Sequence, residues 1–284
     1  MKLTDMSYAH EVMERHGIAP KKKFGQNFLT SDGVVSHIAD TPSEDSSVGV
    51  LEIGPGIGTL TEALAERYAK VVSVEIDESL LPVLEETVGW RENVTIVNGD
   101  AMKTDFPEFV REHFGDMRVC VCANLPYYIT SPIIMKILEC GALFESVTVM
   151  IQKEVAERLA AAPGSADYGA ITVFASYLAD VEKCFNVSPG NFLPQPKVTS
   201  AVIRMTPHKK PPVEVKDPEN MQKIIKAAFE QRRKMLAGAI SAATCKVSKA
   251  QITEKIVEAG LPADIRGEKL SLADFAKLSD LLEI

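Results

Sequence analysis

The chain has 284 residues, of which 46% are hydrophobic and 25% charged. That length can bury a substantial core, and that balance excludes a disordered chain, a collagen and a small disulfide scaffold. Lys and Arg number 31 against 39 Asp and Glu, a net charge of -8, which on its face argues against a nucleic-acid partner because phosphate affinity comes from Lys and Arg.

Residues 1–47 read as an N-terminal arm. It holds a helical stretch from Tyr8 to His16, the basic run Lys21-Lys22-Lys23, then Phe24-Gly25-Gln26-Asn27-Phe28-Leu29 and a helix near Ser31–Ala39. The opening residues Met1 to Met6 lack an apolar core of signal-peptide length. No apolar run approaches the ~18 residues that span a bilayer. A cytoplasmic protein with no membrane association is therefore expected. Cys120, Cys122, Cys140, Cys184 and Cys245 form an odd set without a Cys-x-x-Cys spacing. Reduced thiols and no metal site are the expectation.

From Val48 strands and helices alternate. Apolar strands are expected at 48–53, 71–76, 94–97, 119–123 and 146–151, with helices after the first, second, fourth and fifth. Strands apolar throughout belong to a parallel sheet covered on both faces. The alternation predicts a doubly wound α/β domain over 48–206. Segments 179–187 and 198–205 read as a closing antiparallel pair. Pro207, Pro211, Pro212 and Pro218 mark a linker over 207–218. Four helical patterns then fill a small all-helical C-terminal domain, 219–284.

Ligands of such sheets bind at the carboxyl ends of the strands, near the switch point. The first strand runs into Glu52-Ile53-Gly54-Pro55-Gly56-Ile57-Gly58-Thr59. Gly54 and Gly56 allow a tight turn and close approach of a ligand to the backbone. The spacing is G-x-G-x-G, not the dinucleotide fingerprint, and Pro55 removes an amide that a pyrophosphate could use. Glu75 ends the second strand, where an acid accepts from ribose hydroxyls. Asp100 follows the third. Several acids and few cations point to a nucleoside carrying positive charge, and S-adenosylmethionine fits. The expected fold is thus the Rossmann-like class I S-adenosylmethionine-dependent methyltransferase type.

The fourth strand ends in Asn124-Leu125-Pro126-Tyr127-Tyr128. An amide, a proline and an aromatic ring can hold a planar base. The N6 amine of adenine is a poor nucleophile because its lone pair is delocalised into the ring. Accepting its hydrogens on the Asn124 side chain and on the carbonyl of Leu125 or Pro126 favours a pyramidal nitrogen, and Tyr127 can stack on the base. Methyl transfer then proceeds by in-line displacement, driven by positioning and a water-poor site.

In these segments together the chain resembles the small-subunit ribosomal RNA adenine N6,N6-dimethyltransferases. The resemblance rests on 23–29, Glu52 to Thr59, Asn124 to Tyr128, 191–200, 229–236 and Arg266 to Ser271, and so spans nearly the whole chain. It implies that Gln26, Asn27, Leu29, Gly54, Glu75, Asp100 and Asn124 surround the cofactor. It implies that Asn124, Leu125, Pro126 and Tyr127 hold the target adenine, with Phe192 covering its other side. The implied substrate is a pair of adjacent adenosines in the loop of the 3′-terminal hairpin of small-subunit rRNA, within a pre-ribosomal particle. Loop bases are cheap to unstack and flip. A monomer acting also in subunit biogenesis is expected. The alternatives are the related large-subunit rRNA enzymes of antibiotic resistance, and a non-catalytic assembly factor on the same fold.

The net charge divides unevenly. Residues 51–204 hold 12 basic and 21 acidic side chains, whereas 205–284 hold 14 and 11. Arg232, Arg233 and Lys234 head a basic cluster that is expected to contact RNA phosphates. The acidic average therefore ceases to argue against RNA.

Overall fold

The computed structural model describes residues 2–21 and 25–284. Part of the basic run and of the arm motif, residues 22–24, lies outside the described residues. In chain order the elements are α1 (Met6–Arg15), β1 (Phe28–Leu29), α2 (Asp32–Asp40), β2 (Gly49–Ile53), α3 (Thr59–Arg67), β3 (Lys70–Glu75), α4 (Leu81–Thr87) and β4 (Val94–Asn98). They continue with α5 (Phe106–Phe114), β5 (Val119–Asn124), α6 (Thr130–Leu138), β6 (Val147–Gln152), α7 (Lys153–Leu159), α8 (Ala170–Leu178), β7 (Ala179–Val187), β8 (Phe192–Leu193) and β9 (Ser200–Pro207). The last four are α9 (Pro218–Glu230), α10 (Leu236–Ala243), α11 (Lys249–Glu258) and α12 (Leu272–Leu281).

Seven strands form one sheet in the order β4-β3-β2-β5-β6-β9-β7. The pairs from β4 through to β6 are all parallel, and β9 runs antiparallel to β6. The chain builds outward from β2 to β4 on one side, then returns to add β5 and β6 on the other. The switch point is therefore at the carboxyl ends of β2 and β5. Every residue of β2 is buried, as expected of a central strand covered on both faces. The doubly wound sheet predicted by the alternation is present.

The chain divides into two compact units, 1–156 with 181–207, and 157–180 with 208–284. Residues 1–47, the expected arm, pack onto the sheet unit and belong to it. Ala9, Val12 and Met13 of α1 share a buried cluster with Val83 and Leu84 of α4, and α2 buries Val35 and Ile38 with Leu60 and Leu64 of α3. The helical unit, for its part, is larger than 219–284. Tyr168 and Val173 sit in one core with Ile224, Ile240, Ile256 and Phe275, and the Tyr168 hydroxyl donates to the Leu270 carbonyl at 2.7 Å.

Two helices were not expected from sequence. Asp105 caps α5 by accepting from the Glu108 amide, and Phe106, Phe109, Val110 and Phe114 form its buried stripe. In α8, Ile171, Thr172 and Val173 favour strand, but packing in the helical core overrides that local preference. Elsewhere the helix starts follow local chemistry. Asp217 caps α9 ahead of Pro218, while Ser248 and Ser271 open α11 and α12 in capping boxes.

Candidate active site

A cavity of about 300 Å³ opens at the carboxyl ends of the central strands. Its walls come from the glycine turn after β2, the ends of β3, β4 and β5, and residues 25–29 of the arm. This is the switch point of the sheet, where the topology leaves a crevice.

Gly54, Gly56 and Gly58 all have positive φ, so the turn takes a path that L side chains rarely adopt. A Cβ on Gly56 would lie 3.0 Å from the Phe28 ring. That close approach brings the arm onto the turn. Glu75, at the end of β3, accepts from the Gly56 amide at 3.3 Å and from the Asp77 amide at 2.8 Å. Burial raises its pKa, against those two amide bonds, and the charge of Asp77 pushes in the same direction as burial. Asp100 accepts from the Met102 amide at 2.9 Å, which shapes the turn after β4.

Glu52 lies beneath the glycine turn and is 1% exposed. One carboxylate oxygen, Oε2, accepts from the Thr61 hydroxyl at 2.7 Å and the Ser73 hydroxyl at 2.6 Å. Among the described residues the other, Oε1, has no hydrogen-bond partner, and neither does Oγ1 of Thr59. Burial pushes the Glu52 carboxyl up to about 7, against the two hydroxyl bonds, with the charge of Glu75 adding to the rise. No Lys or Arg lines the cavity among the described residues, whereas Glu52, Glu75 and Asp100 all do. Acids and unfilled buried acceptors suit a cationic, hydroxyl-bearing nucleoside and not a phosphate. S-adenosylmethionine fits this set.

The arm is fastened to the site by specific bonds. Gln26 accepts from the Lys21 amide at 2.8 Å and donates to Asp77 at 3.0 Å. Lys21 Nζ reaches Asp77 at 2.8 Å and the Ser79 hydroxyl at 2.6 Å. Burial alone would raise the Asp77 pKa, but hydrogen bonds from Lys21, Ser79 and Gln26 outweigh it, and the net displacement is downward. Asn27 holds its own turn by donating to the Gly25 carbonyl at 2.9 Å. Leu29 is buried at the cavity wall.

Asn124 ends β5, and its Nδ2 donates to the Asn27 carbonyl at 3.0 Å. That bond commits the amide nitrogen, so Oδ1 is the atom left to accept from a ligand in the cavity. The Leu125 amide donates to the Met150 carbonyl at 3.1 Å, which holds the loop on β6. The Pro126 carbonyl accepts from the Ile129 amide and the Thr130 hydroxyl, both at 3.2 Å. It is thus engaged at the start of α6. Tyr127 is half-buried, its hydroxyl 2.8 Å from that of Ser200, and burial raises its pKa against this bond.

The structure brings together Gln26, Asn27, Leu29, Gly54, Gly56, Glu75, Asp100, Asn124, Leu125, Pro126 and Tyr127 around one cavity. It does not place Phe192 there. Phe192 is buried, pairs with Leu29 across the two-stranded β1–β8 ladder, and belongs to the core with Val187 and Val202. The short ladder draws its ring inward. Arg232, Arg233 and Lys234 lie between α9 and α10 in the helical unit. Arg232 is engaged within that unit, donating to the carbonyls of Ala166 at 2.8 Å and Tyr168 at 3.0 Å. Sequence reasoning missed Ile76, Met102 and Tyr128, exposed apolar side chains that line the cavity. Their positions directly after the strand ends were the available signal.

The family model of ribosomal RNA adenine dimethylases matches residues 18–283. The chain is 46% identical to the ribosomal RNA small subunit methyltransferase A of Lachnoclostridium phytofermentans, over 99% of this chain and 98% of that protein. Among solved structures it is similar to a dimethyladenosine transferase from Plasmodium falciparum, with 26% identity and a TM-score of 0.74 over 88% of this chain and 95% of that one. It is similar as well to the 23S rRNA methyltransferase ErmE, with 27% identity and a TM-score of 0.68 over 90% and 99% of the two chains. The cofactor is accordingly S-adenosylmethionine, as the acids of the cavity require. With nearly its whole length matched, and with the cavity at the switch point of its sheet, the chain belongs to the ribosomal RNA adenine dimethylase family.

Proposed function

We propose that the chain dimethylates N6 of two adjacent adenosines in the loop of the 3′-terminal hairpin of small-subunit rRNA. Its substrate is the rRNA within a pre-ribosomal particle, and it acts as a monomer in the cytoplasm. No helix among the described residues is long and apolar enough to cross a membrane. Identity of 46% over nearly its whole length to a small-subunit enzyme supports the small-subunit substrate.

The single observation that carries the chemistry is the bond from Asn124 Nδ2 to the Asn27 carbonyl. It orients the amide so that Oδ1 accepts one hydrogen of the target amine. The Pro126 carbonyl is engaged by Ile129 and Thr130, which leaves the Leu125 carbonyl to accept the other. Two acceptors draw the nitrogen lone pair out of the ring and toward the methyl donor. Tyr127, held by Ser200, stacks on the base. When bound, the cofactor supplies an activated methyl group on a sulfonium. Glu75 would accept from its ribose, the turn after β4 would hold its adenine, and the acids would balance its positive charge. No general base is needed before transfer, because the proton leaves afterwards. Catalysis is then mostly positioning in a water-poor cavity.

The test is methyl transfer from labelled S-adenosylmethionine to unmethylated small subunits, with the modified nucleotides mapped. Two dimethylated adenosines in the 3′-terminal hairpin loop are expected. Modification of large-subunit rRNA alone would overturn the assignment, and binding without transfer would favour an assembly factor.

A further inference from the structure

Lys136 lies on α6, away from the acids that face the cavity, and sequence gives it no role. Its ammonium nevertheless meets three backbone carbonyls: Met102 and Thr104 at 2.7 Å each, and Ala101 at 3.2 Å. An ammonium has three N–H donors, and all three are used on one short loop. The nitrogen also stands 5.2 Å from the centre of the Phe106 ring, at the start of α5. The loop it holds, 101–104, follows Asp100. Asp100, Ala101 and Met102 all line the cavity.

Asp100 accepts from the amides of Met102, Lys103 and Thr104 and from the Thr104 hydroxyl, which closes a tight turn, and the carbonyls of Ala101, Met102 and Thr104 converge on Lys136. A turn with converging carbonyls has a net negative face, and the Lys136 ammonium neutralises it. At its other end, α6 begins at the loop of Asn124 to Tyr128, and Thr130 and Ile129 tie it to Pro126. One helix therefore carries both the start of the base-holding loop and the cation that closes the turn after β4.

We infer that Lys136 is a positioning residue for the cofactor: it fixes the 101–104 turn, so that Asp100 and Met102 stand ready for the adenine end before the ligand arrives. The inference rests on the proposed seat of the cofactor's adenine beside Asp100. Without the ammonium, the turn samples other arrangements, and apparent affinity falls by the fraction of time it is correctly formed. Lys136 touches neither methyl group nor target base, so turnover at saturating cofactor stays the same.

The test compares Lys136→Met, Lys136→Arg and Asp100→Ala in the full chain. Met keeps the stem and helix propensity while removing charge and donors. Equilibrium binding of S-adenosylhomocysteine and of methylthioadenosine is measured by calorimetry, and kcat at saturating S-adenosylmethionine is measured on small subunits. For Lys136→Met, both ligands lose the same factor, about tenfold or more, because both carry the adenine. Its kcat stays within about threefold, and Lys136→Arg recovers most of the affinity with its own donors. Unchanged affinity in Lys136→Met, or a loss that falls equally on kcat, would overturn the inference. If Asp100→Ala weakens binding and Lys136→Met does not, only the role of Lys136 fails. If neither does, the placement of the adenine fails with it.

Discussion

The side-chain nitrogen of Asn124 donates to the backbone carbonyl of Asn27, 97 residues earlier, at 3.0 Å. The residue that ends β5 is thereby aimed by the arm, and the arm is in turn fastened to the end of β3 through Gln26 and Asp77. Asn124→Ala removes the acceptor proposed for the target amine. Turnover is expected to fall by about 10²- to 10³-fold, with cofactor affinity reduced only several-fold. Single-turnover methylation of small subunits, alongside calorimetry with S-adenosylhomocysteine, separates the two effects. Full turnover in this variant would remove Asn124 from the chemistry.

The latch on Asp77 gives a second expectation. Asp77→Ala removes one acceptor from the Lys21 ammonium and one from the Gln26 amide, which weakens the hold of the arm on the end of β3. Cofactor affinity falls, and limited proteolysis cuts near residues 21–26 sooner than in the parent chain. The Asp77 carboxyl sits below its ordinary pKa because its hydrogen bonds outweigh burial. A depressed acid adds stability above its unfolded pKa and loses it as pH falls through the folded value. The latch should therefore loosen only in acid, with arm cleavage constant from neutral pH down to the ordinary carboxylate range.

Glu52 behaves in the opposite sense. Its folded pKa is pushed up to about 7 from 4.5. The folded state then binds more protons than the unfolded one between those values, so this group's contribution to stability falls as pH rises from about 4.5 to about 7. Glu52→Gln cannot ionise. Its stability relative to the parent is expected to improve across that window by about 2–3 kcal/mol and to level off above it. Urea unfolding at pH 5, 6, 7 and 8 checks this. A difference that does not vary with pH would show that Glu52 is ionised throughout.

Tyr127 and Ser200 share a hydrogen bond of 2.8 Å, which fixes the ring proposed to stack on the base. Tyr127→Phe and Ser200→Ala should each cost about 1 kcal/mol of stability. The double variant should cost little more than either, because the same bond is lost. Tyr127→Ala removes the ring itself and should raise the KM for the particle far more than Tyr127→Phe. Additive single effects in the cycle would dissolve the pairing.

In the basic turn between α9 and α10, Arg232 is engaged with the backbone, and Arg233 and Lys234 are the side chains proposed to meet RNA phosphates. Arg232 donates to the carbonyls of Ala166 and Tyr168, so Arg232→Gln should destabilise the helical unit by about 1 kcal/mol. Arg233 and Lys234 are exposed. Neutralising these two together should leave stability unchanged and lower the salt slope of particle binding by about 1–2. A slope that stays the same would place the RNA elsewhere.

Glu75, Asp100 and Asn124 were legible in the sequence for one reason. Glu75 and Asn124 end apolar strands and Asp100 lies two residues past one, and a parallel sheet gathers its strand ends at one edge. The glycine turn supplied the switch point. Phe192 was legible only as part of a family motif, and its pairing with Leu29 across β1 and β8 is a long-range contact that sequence period does not carry. The pairing of Glu52 with Ser73 and Thr61 crosses between strand and helix, and hydrophobic period carries no such information. Lys136 shows the same gap: its acceptors lie 32 to 35 residues away and are backbone atoms of a loop. The helix α8 was hidden by its β-branched residues, whose partners arrive some 50 to 100 residues later.

That last separation bears on how the chain is made. The helical unit is built from 157–180 and 208–284, with 181–207 of the sheet unit between them. As synthesis proceeds, Tyr168 and Val173 leave the ribosome well before Ile224, Ile256 and Phe275 exist to cover them. The nascent chain must hold an unsatisfied apolar surface while β7 and β9 complete the sheet, an interval in which chaperones have something to grip. Nor is there one point at which the chain can be cut into two self-sufficient halves. A fragment ending at residue 207 keeps α8 without its core, and a fragment beginning at 208 lacks the tyrosine whose hydroxyl holds Leu270.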